Sequence, residues 1–163
     1  MEHQPATAAA TAGGQVWLED FRPGTVLRSP SRRITAADID AYARLTGEDH
    51  PVHMDDAFAR AAGFAGRITH GLFNLALIEG LKAAIGGFEH SVVASLGWSD
   101  IRFSAPLYPG EEVHLQLEFL SARPTSKPGR GLATERGILL KADGTEVVRG
   151  DHLVLLLSRP EAP

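Results

Sequence analysis

The sequence predicts a single α+β domain, because its helical and strand-like segments fall into separate halves of the chain. A nearly all-apolar stretch from Leu72 to Ile85 predicts a helix that is buried on several sides. Further on, Glu112 to Phe119 alternates strictly between polar and apolar residues, which is typical of a half-buried antiparallel strand. A strongly curved antiparallel sheet wrapped around the long helix would bury both elements.

Length and composition limit the range of architectures and partners. The chain has 163 residues, which fit one domain. We expect residues 1–15 to form a disordered tail, residues 16–158 to form the domain and residues 159–163 to form a second tail. With 44% hydrophobic and 22% charged residues, the composition is ordinary for a globular protein. The net charge of -4 argues against nucleic acid or an anionic membrane surface as a partner.

Cysteine usage and apolar runs bear on the compartment. The chain has no cysteine, so it can form neither a disulfide nor a thiolate nucleophile. The N-terminus lacks the basic flank and apolar run of a secretory signal. The apolar helix is too short to cross about 30 Å of hydrocarbon. These features predict a cytoplasmic protein without a membrane span.

The first half begins with an edge strand and a capped helix. The segment from Val26 to Ile34 has strand-like residues, but Pro30 interrupts it, which predicts one edge strand or two short pieces. Thr35 and Asp38 have the spacing of a capping box and predict the start of a helix. Gly47 predicts its end, since glycine tolerates the positive φ of a C-terminal cap. The residues from Glu48 to His53 are then expected to form a loop.

Two more helices follow this loop. Asp55 and Asp56 predict the start of a short helix that runs to Ala62 and ends at Gly63. Thr69 or His70 is available to cap the long apolar helix, and Gly86-Gly87 closes that helix.

Four long strands fill the second half. They are expected at Val92–Ser104, Glu112–Phe119, Gly131–Ala142 and Thr145–Leu157. Pro109-Gly110 and Asp143-Gly144 supply turns between them, and the second of these predicts a tight hairpin. The segment that begins at Ser121 contains two prolines and is expected to be a flexible loop. Because a curved sheet with bare edges would aggregate, we expect edge pairing in a homodimer or higher homo-oligomer.

Polar residues concentrate where the helices of the first half end. Glu48 and His53 lie five residues apart in a loop braced by Pro51, and the chain leads from there to the head of the long helix at Gly71. This pattern permits acid–base chemistry on a bound water, with unpaired N–H groups at the helix start available to a developing oxyanion. The alternative is structural: Glu48 caps a turn and His53 packs on the surface.

Other polar and aromatic residues are assigned mainly structural roles. His70 is expected to fix the helix start or to line the pocket, and His114 and His152 to lie at the surface or at an interface. Tyr42 and Trp98 are interpreted as core or interface aromatics. His50 and His53, with Asp49 and Asp55 nearby, do not offer a convincing third ligand, so no metal site is expected. The glycines near Gly71 lack the βαβ unit of a dinucleotide fingerprint.

Two motifs carry a resemblance to a known family. The chain reads T-G-E-D-H-P-V-H-M-D-D-A-F-A and then G-F-A-G-R-I-T-H-G-L, with F-S-A-P-L-Y-P-G-E-E-V further on. These segments resemble the hydratase motif of the MaoC-like dehydratases, the (R)-specific enoyl-CoA hydratases, in which G-D-x-N-P-x-H precedes an F-x-x-x-I-x-H-G element. The resemblance extends from about Asp20 to Leu157.

The resemblance implies a hotdog fold, a long helix wrapped by a curved antiparallel sheet, in a homodimer that acts on acyl thioesters of coenzyme A. It also implies catalytic roles for Glu48, His53 and the backbone N–H of Gly71, without a metal or redox cofactor. The two side chains would add water to a trans-2-enoyl thioester, or remove it in reverse. Contacts with substrate are assigned to the residues around them: Asp49, His50, His70 and Leu72.

Two positions depart from the family pattern. Glu48 stands where the family has Asp, which moves the carboxylate by one methylene, and His50 stands where the family has Asn. A displacement of about 1 Å can cost on the order of a hundredfold in rate. Two alternatives therefore stay open: an acyl-CoA thioesterase on the same fold, and a non-catalytic module that binds acyl thioesters. Acyl chain length and physiological direction are not indicated by the sequence.

Three basic residues, Arg67, Lys127 and Arg130, could meet the phosphates of coenzyme A. The alternative for each of them is solvated surface charge.

Overall fold

The computed structural model describes residues 14–161, and in them helices precede a sheet of long strands. A single 3-10 turn spans Leu18–Asp20. The other elements are β1 (Val26–Arg28), β2 (Arg32–Arg33), α1 (Ala36–Thr46), α2 (Pro51–Met54), α3 (Asp56–Ala61), α4 (Gly71–Ile85), β3 (Val92–Phe103), β4 (Glu112–Pro124), β5 (Arg130–Lys141) and β6 (Glu146–Leu157). The predicted α+β class is confirmed.

The six strands form one antiparallel sheet in the order β1-β4-β5-β6-β3, and β2 also pairs with β4. Of the two predicted alternatives, one edge strand or two short pieces, the structure has the second, β1 and β2 on either side of Pro30. The sequential hairpins β4–β5 and β5–β6 form the centre of the sheet, and the long strand β3 lies at one edge. Register shifts that interrupt β3, β4 and β5 mark irregularities at which such a sheet bends.

The capping box of α1 is formed as its sequence predicts. Thr35 Oγ1 accepts a hydrogen bond from the Asp38 backbone N–H at 3.2 Å, and Asp38 Oδ2 accepts one from the Thr35 N–H at 2.8 Å. At the other end, Gly47 adopts a φ of 77°. This left-handed conformation turns the chain out of the helix, and the loop that contains Glu48 begins there.

The long helix α4 packs on the sheet through four large apolar side chains: Phe73, Leu77, Ile78 and Leu81. The approach is so close at Gly137 on β5 that a Cβ there would lie 2.6 Å from Ile78 Cγ2. Within one chain, however, the opposite face of α4 is exposed, and Leu72 retains 63% of its accessible surface. The prediction of burial on several sides is therefore wrong for the single chain, because the sheet covers only one face of the helix.

Two segments between the helices and strands also differ from expectation. His53 lies in the short helix α2 rather than in a loop, because Pro51 occupies its first turn and the His50 side chain caps it. The predicted flexible loop from Ser121 is wrong as well. The strand β4 continues through a bulge to Pro124, where it still pairs with Gly131 of β5.

Both predicted tails reach beyond the described residues, and for residues 1–13 and 162–163 the prediction stays untested. Of the residues assigned to them, Gln15 donates a hydrogen bond from its side-chain amide to the Gly87 carbonyl at 2.6 Å. Arg159 forms a bidentate pair with Asp20 at 2.8 and 2.9 Å. Among residues 14–161, no helix is both long and apolar enough to span a membrane.

Candidate active site

The loop after α1, the short helix α2 and the head of α4 meet at one place. His53 on α2 stacks on His70, which directly precedes α4, with ring centroids 3.9 Å apart. His70 Nε2–H in turn donates to the backbone carbonyl of Glu48 at 2.8 Å. Glu48 and His70, which are 22 positions apart in the sequence, are thus in direct contact.

The protonation pattern of His53 follows from its hydrogen bond. Its Nδ1 lies 2.9 Å from the carbonyl oxygen of Ile68. Because a carbonyl can only accept, Nδ1 carries the proton and the lone pair of neutral His53 is on Nε2. Burial lowers the pKa of His53 below its usual 6.5, and the nearby His70 and His50 lower it further. The hydrogen bond to Ile68 and the charge of Glu48 oppose this shift without cancelling it. At neutral pH, His53 is therefore a base with an available nitrogen.

His70 is buried, with 3% of its surface accessible, and serves as a structural link. Besides this bond to Glu48, the His70 ring packs against the Tyr42 ring, with ring centroids 4.8 Å apart. Tyr42 is therefore a partly buried aromatic residue beside His70. His70 occupies the N-cap position of α4 but makes no side-chain capping bond. Of the two predicted cap positions, His70 is thus the N-cap residue, but its ring bonds the Glu48 carbonyl instead of a backbone N–H of the helix.

The head of α4 presents unpaired polar groups beside a cavity of about 280 Å³. Gly71 begins the helix, and the first N–H groups of a helix have no partner within it. Nearby side-chain atoms are also unsatisfied: Thr69 Oγ1, His70 Nδ1 and Asn74 Oδ1 are buried without a hydrogen-bond partner in the described part of the chain. Buried polar groups are rarely left in this state, so the arrangement indicates room for water or a ligand.

The Glu48 side chain is exposed, and its Oε1 accepts a hydrogen bond of 3.3 Å from the His50 backbone N–H. This is the turn-capping contact that the structural alternative expects. The negative charge of Glu48 nevertheless acts on His53, where it opposes part of the lowering of the pKa by burial. Asp49 and His50 are exposed in the same segment, and His50 Nδ1 accepts from the Val52 N–H at 3.3 Å.

The remaining predicted contact residues lie elsewhere. Leu72 is on the exposed face of α4, outside the cavity that Gly71 lines in the single chain. Arg67 pairs with Asp40 at 2.9 Å. Lys127 is exposed in the β4–β5 turn, and Arg130 begins β5. Their roles toward coenzyme A stay predictions.

Sequence reasoning missed three residues that line the cavity together with Gly71: Ile68, Asn74 and Phe103. A signal existed for Asn74, since the sequence places this amide between the apolar residues Phe73 and Leu75. In the structure it is only 4% exposed. The Phe103 ring lies 3.1 Å from the position that a Cβ on residue 71 would take. A Cβ at residue 71 would therefore require the Phe103 ring to shift by a few tenths of an ångström.

The strand histidines differ from each other. His114 is half-buried on β4, whereas His152 on β6 is only 2% exposed and stacks on Trp98 at 4.3 Å. The expectation that His152 lies at the surface or an interface is wrong, because the register of β6 turns this residue toward the core. Within residues 14–161, no group of three or more His, Cys, Asp or Glu side chains is placed to hold a metal ion.

Comparisons with known proteins identify relatives of this chain. The MaoC like domain matches residues 20–136. The chain is 33% identical to the (R)-specific enoyl-CoA hydratase of Aeromonas caviae over 126 residues, which cover 77% of this chain and 89% of the relative. It is 34% identical to Protein MaoC of Klebsiella aerogenes over 101 residues, 62% of this chain but only 30% of that longer protein.

The fold has a solved counterpart in a conserved hypothetical protein of Mycobacterium tuberculosis that has a double hotdog fold. The TM-score is 0.76 at 20% sequence identity, with 92% of this chain and 46% of that chain covered. The predicted hotdog fold is thereby confirmed. Because the family match spans residues 20–136, most of its length, the chain belongs to the MaoC-like domain family.

Proposed function

We propose that this protein is an (R)-specific enoyl-CoA hydratase and 3-hydroxyacyl-CoA dehydratase. The observation that carries the proposal is the state of His53. Its Nδ1–H is committed to the Ile68 carbonyl at 2.9 Å, and burial helps keep the ring neutral, so Nε2 is available as a base. Support also comes from the relative named (R)-specific enoyl-CoA hydratase.

The reaction uses three groups of the site. The backbone N–H of Gly71, at the positive end of α4, holds the thioester oxygen. His53 and Glu48 orient a water molecule, and one of them takes its proton as the oxygen bonds to the β-carbon. Electron density moves toward the thioester oxygen, and a proton then returns to the α-carbon. The reverse sequence removes water from a 3-hydroxyacyl thioester.

Glu48 can serve this chemistry despite its extra methylene. Its carboxylate is exposed and its contact with the His50 N–H is long, at 3.3 Å, so a bound water can compete for it. Asp49 and His50 contact the substrate from the same segment, while His70 and Leu72 do so from the start of α4. The reaction needs no metal or redox cofactor, and we infer a cytoplasmic location from the absence of cysteine.

We further propose that two copies pair through β3. Within residues 14–161, this strand is at the end of the sheet order, and the backbone groups along its outer side have no neighbouring strand. It also exposes four large apolar side chains, which keep between 38% and 54% of their surface: Val92, Val93, Leu96 and Phe103. A sedimentation measurement is expected to give a dimer or a higher oligomer at micromolar concentration. A monomer would contradict the pairing.

The reaction type can be tested on the unmodified protein. Short and medium trans-2-enoyl-CoA substrates are mixed with it while enoyl absorbance and free thiol are followed together. The proposal predicts loss of absorbance without thiol release. Thiol release in step with turnover would identify a thioesterase, and tight binding without either signal would identify a binding module.

The pH profile of hydration should reflect His53. The reactive form is neutral, so kcat/KM is expected to rise with pH through the pKa of His53 and to level off above it. Because burial lowers this pKa, the midpoint of the acidic limb should fall below 6.5. An acidic limb centred well above that value would show that another group is the base.

A further inference from the structure

A second polar cluster lies toward the other end of α4, away from the site at Gly71. It joins Lys82 of α4, Glu135 of β5 and His152 of β6, which are 5%, 1% and 2% exposed. Lys82 Nζ and His152 Nδ1 both bond the same oxygen, Glu135 Oε1. Removing such groups from water is expensive, and the residues of the hydratase site do not touch them.

Ser95 on β3 completes a chain of hydrogen bonds with this cluster. His152 Nδ1 lies 3.1 Å from Glu135 Oε1, and His152 Nε2 lies 2.7 Å from Ser95 Oγ. Because a carboxylate only accepts, Nδ1 carries the proton and neutral Nε2 accepts the Ser95 hydroxyl. Glu79 Oε1 approaches the same Nδ1 at 3.2 Å, which favours this tautomer further. Ser95 is thus placed as a nucleophile, His152 as its base and Glu135 as the group that orients the base.

In the single chain, the serine is accessible from a cavity. Ser95 is exposed, and with His152 it lines a cavity of about 280 Å³ that is otherwise partly apolar, through Ala83, Phe88 and Val92. The Trp98 ring lies parallel to the His152 ring within 4° at 4.3 Å and holds it in place. Lys82 is also among the residues that line this cavity, and its positive charge can stabilise a developing oxyanion there.

We propose that Ser95, His152 and Glu135 form a nucleophilic triad that hydrolyses small acyl esters or thioesters in this second cavity. Ser95 Oγ attacks the carbonyl carbon and its proton moves to His152 Nε2. The bond to the leaving alcohol or thiol breaks, and His152 returns the proton to it. Water then attacks the acyl-serine with His152 as base, which releases the acid and restores the serine hydroxyl.

Covalent labelling tests this directly on the full chain. The protein is treated with a small fluorophosphonate, and the modified peptide is located by mass spectrometry. A nucleophilic triad predicts one label per chain, on Ser95. Ser99→Ala serves as a matched control, since Ser99 is an exposed serine on the same strand and does not line the cavity. This variant should be labelled like the unmodified protein, and Ser95→Ala should not be labelled.

Hydrolysis of p-nitrophenyl acetate gives an independent reading. The rate of ester hydrolysis above that without protein is expected to be at least about a hundredfold lower in Ser95→Ala than in Ser99→Ala. His152→Gln should slow labelling at Ser95 in protein whose circular dichroism is unchanged. The proposal is overturned if Ser95 of the unmodified protein stays unlabelled, or if Ser95→Ala hydrolyses the ester as fast as Ser99→Ala.

Discussion

Replacing His53 with Ala is expected to lower kcat/KM for trans-2-enoyl-CoA by a factor of about 10² to 10⁴, the usual contribution of one general acid–base group. The physical reason is the loss of Nε2, the nitrogen that remains basic while Nδ1–H is bonded to the Ile68 carbonyl. Initial rates of absorbance loss at several substrate concentrations measure the effect. His90→Ala is the matched control, because His90 is an exposed histidine outside the site.

A second substitution separates catalysis from anchoring. His53 also ties α2 to the segment before α4, and Ala would remove that bond as well. His53→Gln supplies an amide N–H that can donate to the Ile68 carbonyl but offers no basic nitrogen. It is expected to be as inactive as His53→Ala. Recovery of activity in His53→Gln would mean that the residue positions the loop and that another group takes the proton.

Replacing Lys82 with Met is expected to cost about 3 to 5 kcal/mol of the free energy of unfolding, since it strips a buried carboxylate of its counter-charge. Glu135 is 1% exposed and bonds Lys82 through Oε1, and its Oε2 has no hydrogen-bond partner within the described residues. Urea unfolding measures the loss.

Two further variants test whether the loss of stability in Lys82→Met comes from the buried charge. Adding Glu135→Gln to Lys82→Met should recover most of the loss, because the amide oxygen still accepts from His152 without carrying a charge. Arg33→Met breaks an ion pair with Glu112 whose side chains are 63% and 43% exposed, and is expected to cost only about 0 to 1 kcal/mol. Similar losses in Lys82→Met and Arg33→Met would contradict the account of the buried pair.

Local signals in the sequence were sufficient for most of the fold. The Thr35–Asp38 capping box predicts where α1 begins, and Gly47 predicts where it ends. Polar–apolar alternation predicts β4. These patterns depend only on residues a few positions apart. The extension of β4 to Pro124 was missed, since the prolines there are typical of loops. At this end of the sheet, pairing with β5 overrides the local preference.

The site was predictable only where a motif brought distant segments together. Spacing alone could not tell that His70 contacts both His53 and the Glu48 carbonyl, because those contacts depend on how α4 packs on the sheet. The positions of two further side chains also depend on packing. Asn74 faces a cavity formed with β3, and the register of β6 buries His152.

The most direct test of the central claim uses water labelled with the heavy isotope of oxygen. The protein is incubated in this water with trans-2-enoyl-CoA, beside Glu48→Gln and His53→Ala, and the products are analysed by mass spectrometry. A hydratase places the label in the 3-hydroxyl group of an intact thioester, and both substitutions should abolish this product. Label found only in the carboxylate of a released acid, or equal labelling of the thioester by all three proteins, would contradict hydration at the Glu48–His53 site.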